Sequence, residues 1–438
     1  PINYRSEIDG LRALAVLPVI FFHAGFNTFS GGFVGVDIFF VISGFLITGI
    51  ILRDIDAGVF RLSDFYERRA RRLLPALIVV LLLSTPLAFH LMLAPDLYAY
   101  GKGLLAVATF SSNILFWQES GYFEGSAELN PLLHTWSLAV EEQFYLLFPL
   151  GLLFIGRARR EVISVLLFGL IIASFLLAQW GSERYPSASF YLLPTRGWEL
   201  LAGGILAVFL DHKQMTLPLW LQEIGAVAGL VLIVSSVFLL DESVPFPGFY
   251  ALPAVLGTIL IIAFAGSGTF IQKFLATKLL VGAGLVSYSA YLWHQPLFAF
   301  ARNALGGELP FKVVVSLVCV TFGLAYLSWR WVESPFRNKS KVNTKWLFGS
   351  SVAALLCVLL LGGWIVVNDG FSSNLSPRQQ ALLAFSGSDH SANYRTGECL
   401  LKTDQKEADF LESLLHLLLV YNRQAWWNCR QVFYLEYY

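Results

Sequence analysis

The run DGLRALAVLPVIFFH sets Arg12 and His23 eleven residues apart in one apolar stretch. At 100° per residue this interval closes three turns plus about 20°, so both side chains share a helix face, roughly 16 Å apart along the axis. In a helix crossing a bilayer core ~30 Å thick, Arg12 falls at the cytoplasmic edge and His23 more than halfway through. An ionisable group at that depth is costly and is read as functional by default. The plain alternative is a histidine bonded to a neighbouring carbonyl. The functional one is a neutral imidazole that takes a proton from an attacking hydroxyl or carries an acyl group itself.

Two further clusters carry charge into apolar surroundings. In FYERRARRLLPAL, Arg69 and Arg72 are three residues apart, as are Arg68 and Arg71, so guanidiniums stack along a helical turn. Such a stack binds polyphosphate through bidentate forks, or anchors the chain on anionic lipid. In NPLLHTWSLAVEEQFYLLFPL, Glu141 and Glu142 lie about two turns inside an apolar run. Adjacent side chains diverge by 100°, so one carboxylate is expected in a site and the other against a neighbouring helix.

Other polar groups in apolar runs are Asp37, Ser43, Arg196, Glu199, Tyr288, Tyr291 and His294. Arg196 and Glu199, three apart, are expected to pair with each other. Pro296 frees a carbonyl in the turn before it, which favours a satisfied structural role for His294. Asp37 lies about one turn from the outer surface and reads as solvated or as a cap.

The elements that must position these groups are membrane helices. The chain has 438 residues, 56% hydrophobic and 14% charged, with zero formal net charge. Its mean hydropathy of +0.64 excludes a soluble globular class, and its charge excludes a nucleic-acid binder. Apolar runs long enough to span occur at 11–30, 33–52, 73–93, 136–155, 162–179, 196–210, 219–240, 250–266, 280–300, 312–331 and 346–367. The first is too long for a cleavable signal. Basic clusters at 53–72, 157–160, 273–278 and 330–345 all face the cytoplasm if 98–117, broken by glycines and a polar SSN, does not cross. That segment is then re-entrant or interfacial, within an outer loop over 94–135. The amino terminus is inside and the carboxyl-terminal tail outside. Cys319 and Cys357 read as small hydrophobes, Cys399 and Cys429 fall in the tail, and no metal site is expected.

Six blocks in order, Asp9 to His23, GVDIFFVISGFLIT, FYERRARRLLPAL, HTWSLAVEEQFYLLFP (from His134), YSAYLWHQP (from Tyr288) and WVESPFR, resemble membrane acyltransferase family 3. The resemblance implies an all-α polytopic membrane protein: a ten-helix acyltransferase bundle over 1–337, then a linker and eleventh transmembrane helix over 338–367. The periplasmic tail over 368–438 resembles a linker toward a fused SGNH domain. No GDSH block follows it, so the domain is expected to be truncated, and Ser388 and His390 are not its nucleophile.

The resemblance further implies transfer of an acetyl group from cytoplasmic acetyl-CoA to a carbohydrate of O-antigen or lipooligosaccharide type across the bacterial inner membrane. It places catalysis on His23, Glu142 and Arg12, with Glu142 holding the imidazole. Coenzyme A phosphates fall to Arg68, Arg69, Arg71 and Arg72, with lipid anchoring secondary. Asp9, Asp37, Ser43, Glu141, His134, Tyr288 and His294 are supporting residues. The competing class is a transporter or flippase of glycan precursors, which predicts inverted repeats and broken midplane helices; neither pattern is visible in the sequence.

Overall fold

With no water to bond free N–H and C=O groups in a bilayer, apolar runs must satisfy their backbone internally, and here they do so as helices. The computed structural model describes residues 4–120, 127–155, 158–210 and 217–374, and no strand occurs among them. In order these form α1 (Ser6–His23), α2 (Gly35–Asp56), α3 (Leu62–Leu91), α4 (Ala94–Ala108), α5 (Ser112–Glu119), α6 (Thr135–Ile155), α7 (Arg160–Arg184), α8 (Pro186–Tyr191) and α9 (Leu193–Leu210). There follow α10 (Leu219–Leu239), α11 (Gly248–Phe264), α12 (Phe270–Leu275), α13 (Lys278–Leu285), α14 (Ser287–Leu305), α15 (Phe311–Ser328), a π-turn (Trp329–Glu333), α16 (Ser334–Arg337) and α17 (Thr344–Val367).

Eight of the described helices are long and apolar enough to cross a membrane, so the chain is an all-α polytopic membrane protein. The expected spans at 11–30, 250–266 and 280–300 fall on α1, α11 and α14, which are shorter or more polar. Segment 98–117 is not one helix: α4 and α5 break at Phe110, which takes φ 51°. At 1.5 Å per residue α4 is only ~22 Å long, short of a bilayer core.

α1 runs between two apolar cores. Leu11 and Ala15 pack with residues of α2, α9, α10 and α11, while Val16 and Ile20 pack with α14 and α15. Contact at the α2–α9 crossing is close enough to need glycine. A Cβ on Gly44 would lie 1.8 Å from the Leu200 carbonyl oxygen, and one on Gly203 would lie 2.0 Å from that of Val41. Small residues at such crossings let backbones approach within membranes. α17 packs on α4 and α3.

The chain divides into two units after Gly370, and nearly all of the second, including residues 379–401, Ser388, His390, Cys399 and Cys429, lies outside the described residues.

Candidate functional site

α1 carries both ends of the site. Asp9 accepts from Arg12 Nη1 at 3.0 Å and from the Tyr4 hydroxyl at 2.5 Å. The second bond, with partial burial, pushes the Tyr4 phenol up to about 12. Arg12 thus pairs with Asp9 while lining a narrow inner cavity of about 80 Å³. His23 ends the helix eleven residues on and lines a different, outer cavity of about 500 Å³. Its Nδ1 faces the Val19 carbonyl oxygen at 2.9 Å, which assigns the ring proton to Nδ1 and the lone pair to Nε2. The expectation that Glu142 holds the imidazole is therefore corrected: a backbone carbonyl one turn back does so. Arg302 Nη2 donates to the carbonyl oxygen of His23 at 2.6 Å and caps the helix end.

The four arginines of α3 divide by helix face. Arg69 and Arg72 line the inner cavity, and Arg69 lies over the Tyr145 ring at 4.8 Å. Arg71, 2% exposed, instead donates to Glu67 at 2.8 Å and to the carbonyls of Phe336 and Val342. Arg68 pairs with Asp54 at 2.9 Å near the surface. Of the four arginines expected to share one site, only two line the cavity, because side chains 100° apart around one turn cannot all face it. None of the ion pairs among the described residues takes Arg69 or Arg72. Both lie within electrostatic reach of Arg12, and Arg72 also of Arg337, which the sequence reading missed in the WVESPFR block.

The two glutamates of α6 also separate. Glu141 lines the inner cavity, accepting from Ser43 Oγ at 2.7 Å and from the Tyr145 hydroxyl at 3.1 Å. Glu142 stands within electrostatic reach of Arg69 and Arg72, and its Oε1 is buried without a hydrogen-bond partner. Tyr288 lines the same cavity and donates to the Leu73 carbonyl oxygen at 2.9 Å.

Both cavities are lined by Val36 and Tyr291. The Tyr291 hydroxyl donates to the His134 carbonyl oxygen at 2.8 Å and lies 2.6 Å from Ser137 Oγ. His294 holds its Nδ1 2.6 Å from the Tyr291 carbonyl oxygen, while its ring lies 5.1 Å from His23 and 5.5 Å from His134 between centroids. Three imidazoles, the outermost 271 positions apart in sequence, thus meet beside the outer cavity, a juxtaposition that only the tertiary packing creates. The carbonyl that His294 meets is that of Tyr291 and not the one freed by Pro296, and the His294 Nε2 is buried without a partner.

Asp37 is neither solvated nor a cap. It is fully buried, and Arg196 Nη1 bridges it at 2.9 Å and Glu199 at 2.7 Å. The Arg196 guanidinium lies 5.1 to 5.3 Å from the ring centroids of Phe246, Phe190 and Trp136, which line the outer cavity. The triad therefore ties α2 to α9 and supports the cavity floor. No group of three or more histidine, cysteine or acidic residues able to hold a metal occurs among the described residues.

A family profile described as an acyltransferase domain matches residues 5–330. Over 361 residues the chain is 33% identical to SAS0844 of Staphylococcus aureus strain MSSA476, whose name marks it as a candidate O-acetyltransferase; the match covers 78% of this chain and 59% of that protein. It is 32% identical over 401 residues to O-acetyltransferase OatA of S. aureus strain NCTC 8325, covering 86% of this chain and 65% of OatA. The chain thus spans about three-fifths of the length of these relatives. No solved structure matches.

Proposed function

The chain belongs to the family defined by this acyltransferase domain, and from that premise we propose that it moves an acetyl group from coenzyme A through the membrane to a hydroxyl of a cell-surface carbohydrate. The observation that carries this reading is one helix, α1, with Arg12 in one cavity and His23 in another, the two cavities meeting at Tyr291. In this reading the arginine-rich end faces the cytoplasm, following the positive-inside pattern, and the membrane is the bacterial inner membrane.

Arg69 and Arg72, without carboxylate partners, are the groups suited to coenzyme A phosphates. A cavity of about 80 Å³ admits a thin chain and not a nucleotide, so only the thioester end would enter it. Arg12, fixed by Asp9, lines its path. Glu141 and Ser43 hold the opposite wall.

On the far side, His23 presents Nε2 with its lone pair, since Nδ1–H is committed to Val19. Acting as base, Nε2 takes the acceptor's hydroxyl proton as the oxygen attacks the acetyl carbon; the C–S bond breaks and the proton passes to the departing thiolate. Acting as carrier, Nε2 attacks the acetyl carbon and the C–S bond breaks, releasing the thiolate; the hydroxyl oxygen then attacks that carbon, the C–Nε2 bond breaks, and the hydroxyl proton passes to the thiolate. For either route Tyr291 must leave the wall.

The test is single-turnover transfer with radiolabelled acetyl-CoA in membrane vesicles. Label should reach glycan with the intact chain and not with His23→Ala inserted at normal levels. Equal labelling in the variant overturns the reading. Label trapped on His23 selects the carrier route.

A further inference from the structure

Three carboxylates stand at the outer cavity, Glu128 ahead of α6 and Asp241 and Glu242 from the turn between α10 and α11. They feel one another: partial burial, then Glu128 and Asp241, push the Glu242 carboxyl upward, while the Ser243 hydroxyl and amide hold Asp241 below its ordinary value. Arg302 offsets Glu128 at 3.3 Å. Asp241 and Glu242 take no ion pair among the described residues.

An acidic mouth alone is an ordinary solvated surface, but this one opens on built surroundings. His134, 3% exposed, lines the same cavity, and apart from a backbone contact to Pro131 its ring nitrogens have no hydrogen-bond partner. Beside it, Trp136 and Tyr191 meet edge to face with centroids 5.5 Å apart. Aromatic faces are electron-rich and attract C–H edges and cations. An imidazole nitrogen adds a polar contact for a hydroxyl. A narrow space with one sign of charge and apolar walls focuses its field on whatever enters.

We propose that this cavity selects acceptors by charge: it takes a neutral or ammonium-bearing hexose unit and rejects one that carries a carboxylate, sulfate or phosphate. The inference rests on reading the cavity as the acceptor side. Trp136 and Tyr191 supply the stacking surface, His134 the hydroxyl contact, and Asp241 with Glu242 the discrimination. Like charges facing each other across a contact act chiefly by excluding the wrong partner.

The experiment uses the full chain purified in detergent, acetyl-CoA, and three methyl glycosides of one ring: glucoside, glucosaminide and glucuronide. O-acetyl ester is measured by mass spectrometry. At low salt, kcat/KM for the glucuronide should fall at least about tenfold below that for the glucoside, with the gap narrowing as ionic strength rises. The glucosaminide should match or exceed the glucoside. Asp241→Asn combined with Glu242→Gln should raise the glucuronide-to-glucoside ratio several-fold. Equal rates on glucuronide and glucoside, or a ratio unmoved in the double variant, overturn charge selection while leaving the proposed reaction intact. Ester on none of the three overturns the acceptor reading and the inference with it.

Discussion

The Tyr291 hydroxyl reaches the backbone carbonyl oxygen of His134 at 2.8 Å and fixes a side chain of α14 to the turn that leads into α6. Because Tyr291 lines both cavities, this bond holds it in the wall between them, which in the proposed reaction separates thioester from hydroxyl. Tyr291→Phe keeps the ring and removes the bonds to His134 and Ser137, each worth about 1 kcal/mol net. Tyr291→Ala removes the wall itself. Acetate released without acceptor, measured relative to ester formed, should rise a few-fold in the first variant and further in the second. A ratio equal to that of the unmodified chain in both would show that the phenol does not separate the chambers.

Arg71 and Arg72 are neighbours in sequence and opposites in role. If they bind phosphate as proposed, Arg72→Ala and Arg69→Ala each remove a charge-assisted contact of about 1.5–3 kcal/mol, so each should weaken acetyl-CoA binding by about tenfold or more in calorimetry. Arg71→Ala leaves Glu67 short of a buried partner and two carbonyls short of a donor. It should cost about 3–5 kcal/mol of stability, with acetyl-CoA affinity retained by the folded fraction. Equal affinity losses in all three would return the cluster to a generic basic surface.

This division marks where sequence reasoning stopped. Helix positions were legible because an apolar run in a bilayer has few options, and the Arg12 and His23 faces followed from period alone. Which of two adjacent charges faces a cavity depends on helix rotation, and rotation is set by packing partners far away in sequence. Glu141 therefore lines the cavity beside Ser43 while Glu142 does not, and Arg71 turned to α16 and the segment after it. The pairing of Asp37 with Arg196 crosses 159 residues, beyond any local period. Arg196 with Glu199, three apart, was readable for the converse reason.

The α2–α9 crossing offers a test of the scaffold with an internal control. Gly44→Ala places a methyl 1.8 Å from the Leu200 carbonyl oxygen, and a backbone atom cannot swing aside as a side chain can. Overpacking of this kind costs about 1–3 kcal/mol or more. Gly49→Ala, on the same helix, meets no other helix closer than Ala207 Cβ, at 4.0 Å, and should gain from the higher helix propensity of alanine, up to about 1 kcal/mol. Thermal unfolding in detergent should fall for the first variant and hold or rise for the second. Matching shifts would mean that the helices separate at this crossing.

The Asp37–Arg196–Glu199 triad predicts a dependence among substitutions that separate contacts would not give. All three side chains are at most 1% exposed, so removing the guanidinium strands two carboxyl groups where no water can reach them. Arg196→Met should destabilise by about 3–5 kcal/mol. It should also lower transfer, since Phe190, Trp136 and Phe246 rest against that guanidinium and line the outer cavity. Adding Asp37→Asn and Glu199→Gln removes the stranded charge, so the triple variant should recover part of the lost stability. Coupling of this sign, read from unfolding midpoints across the single and combined variants, is what one buried electrostatic unit requires. Additive losses would instead mean that each residue acts through its own packing, and that the floor of the outer cavity does not depend on charge balance beneath it.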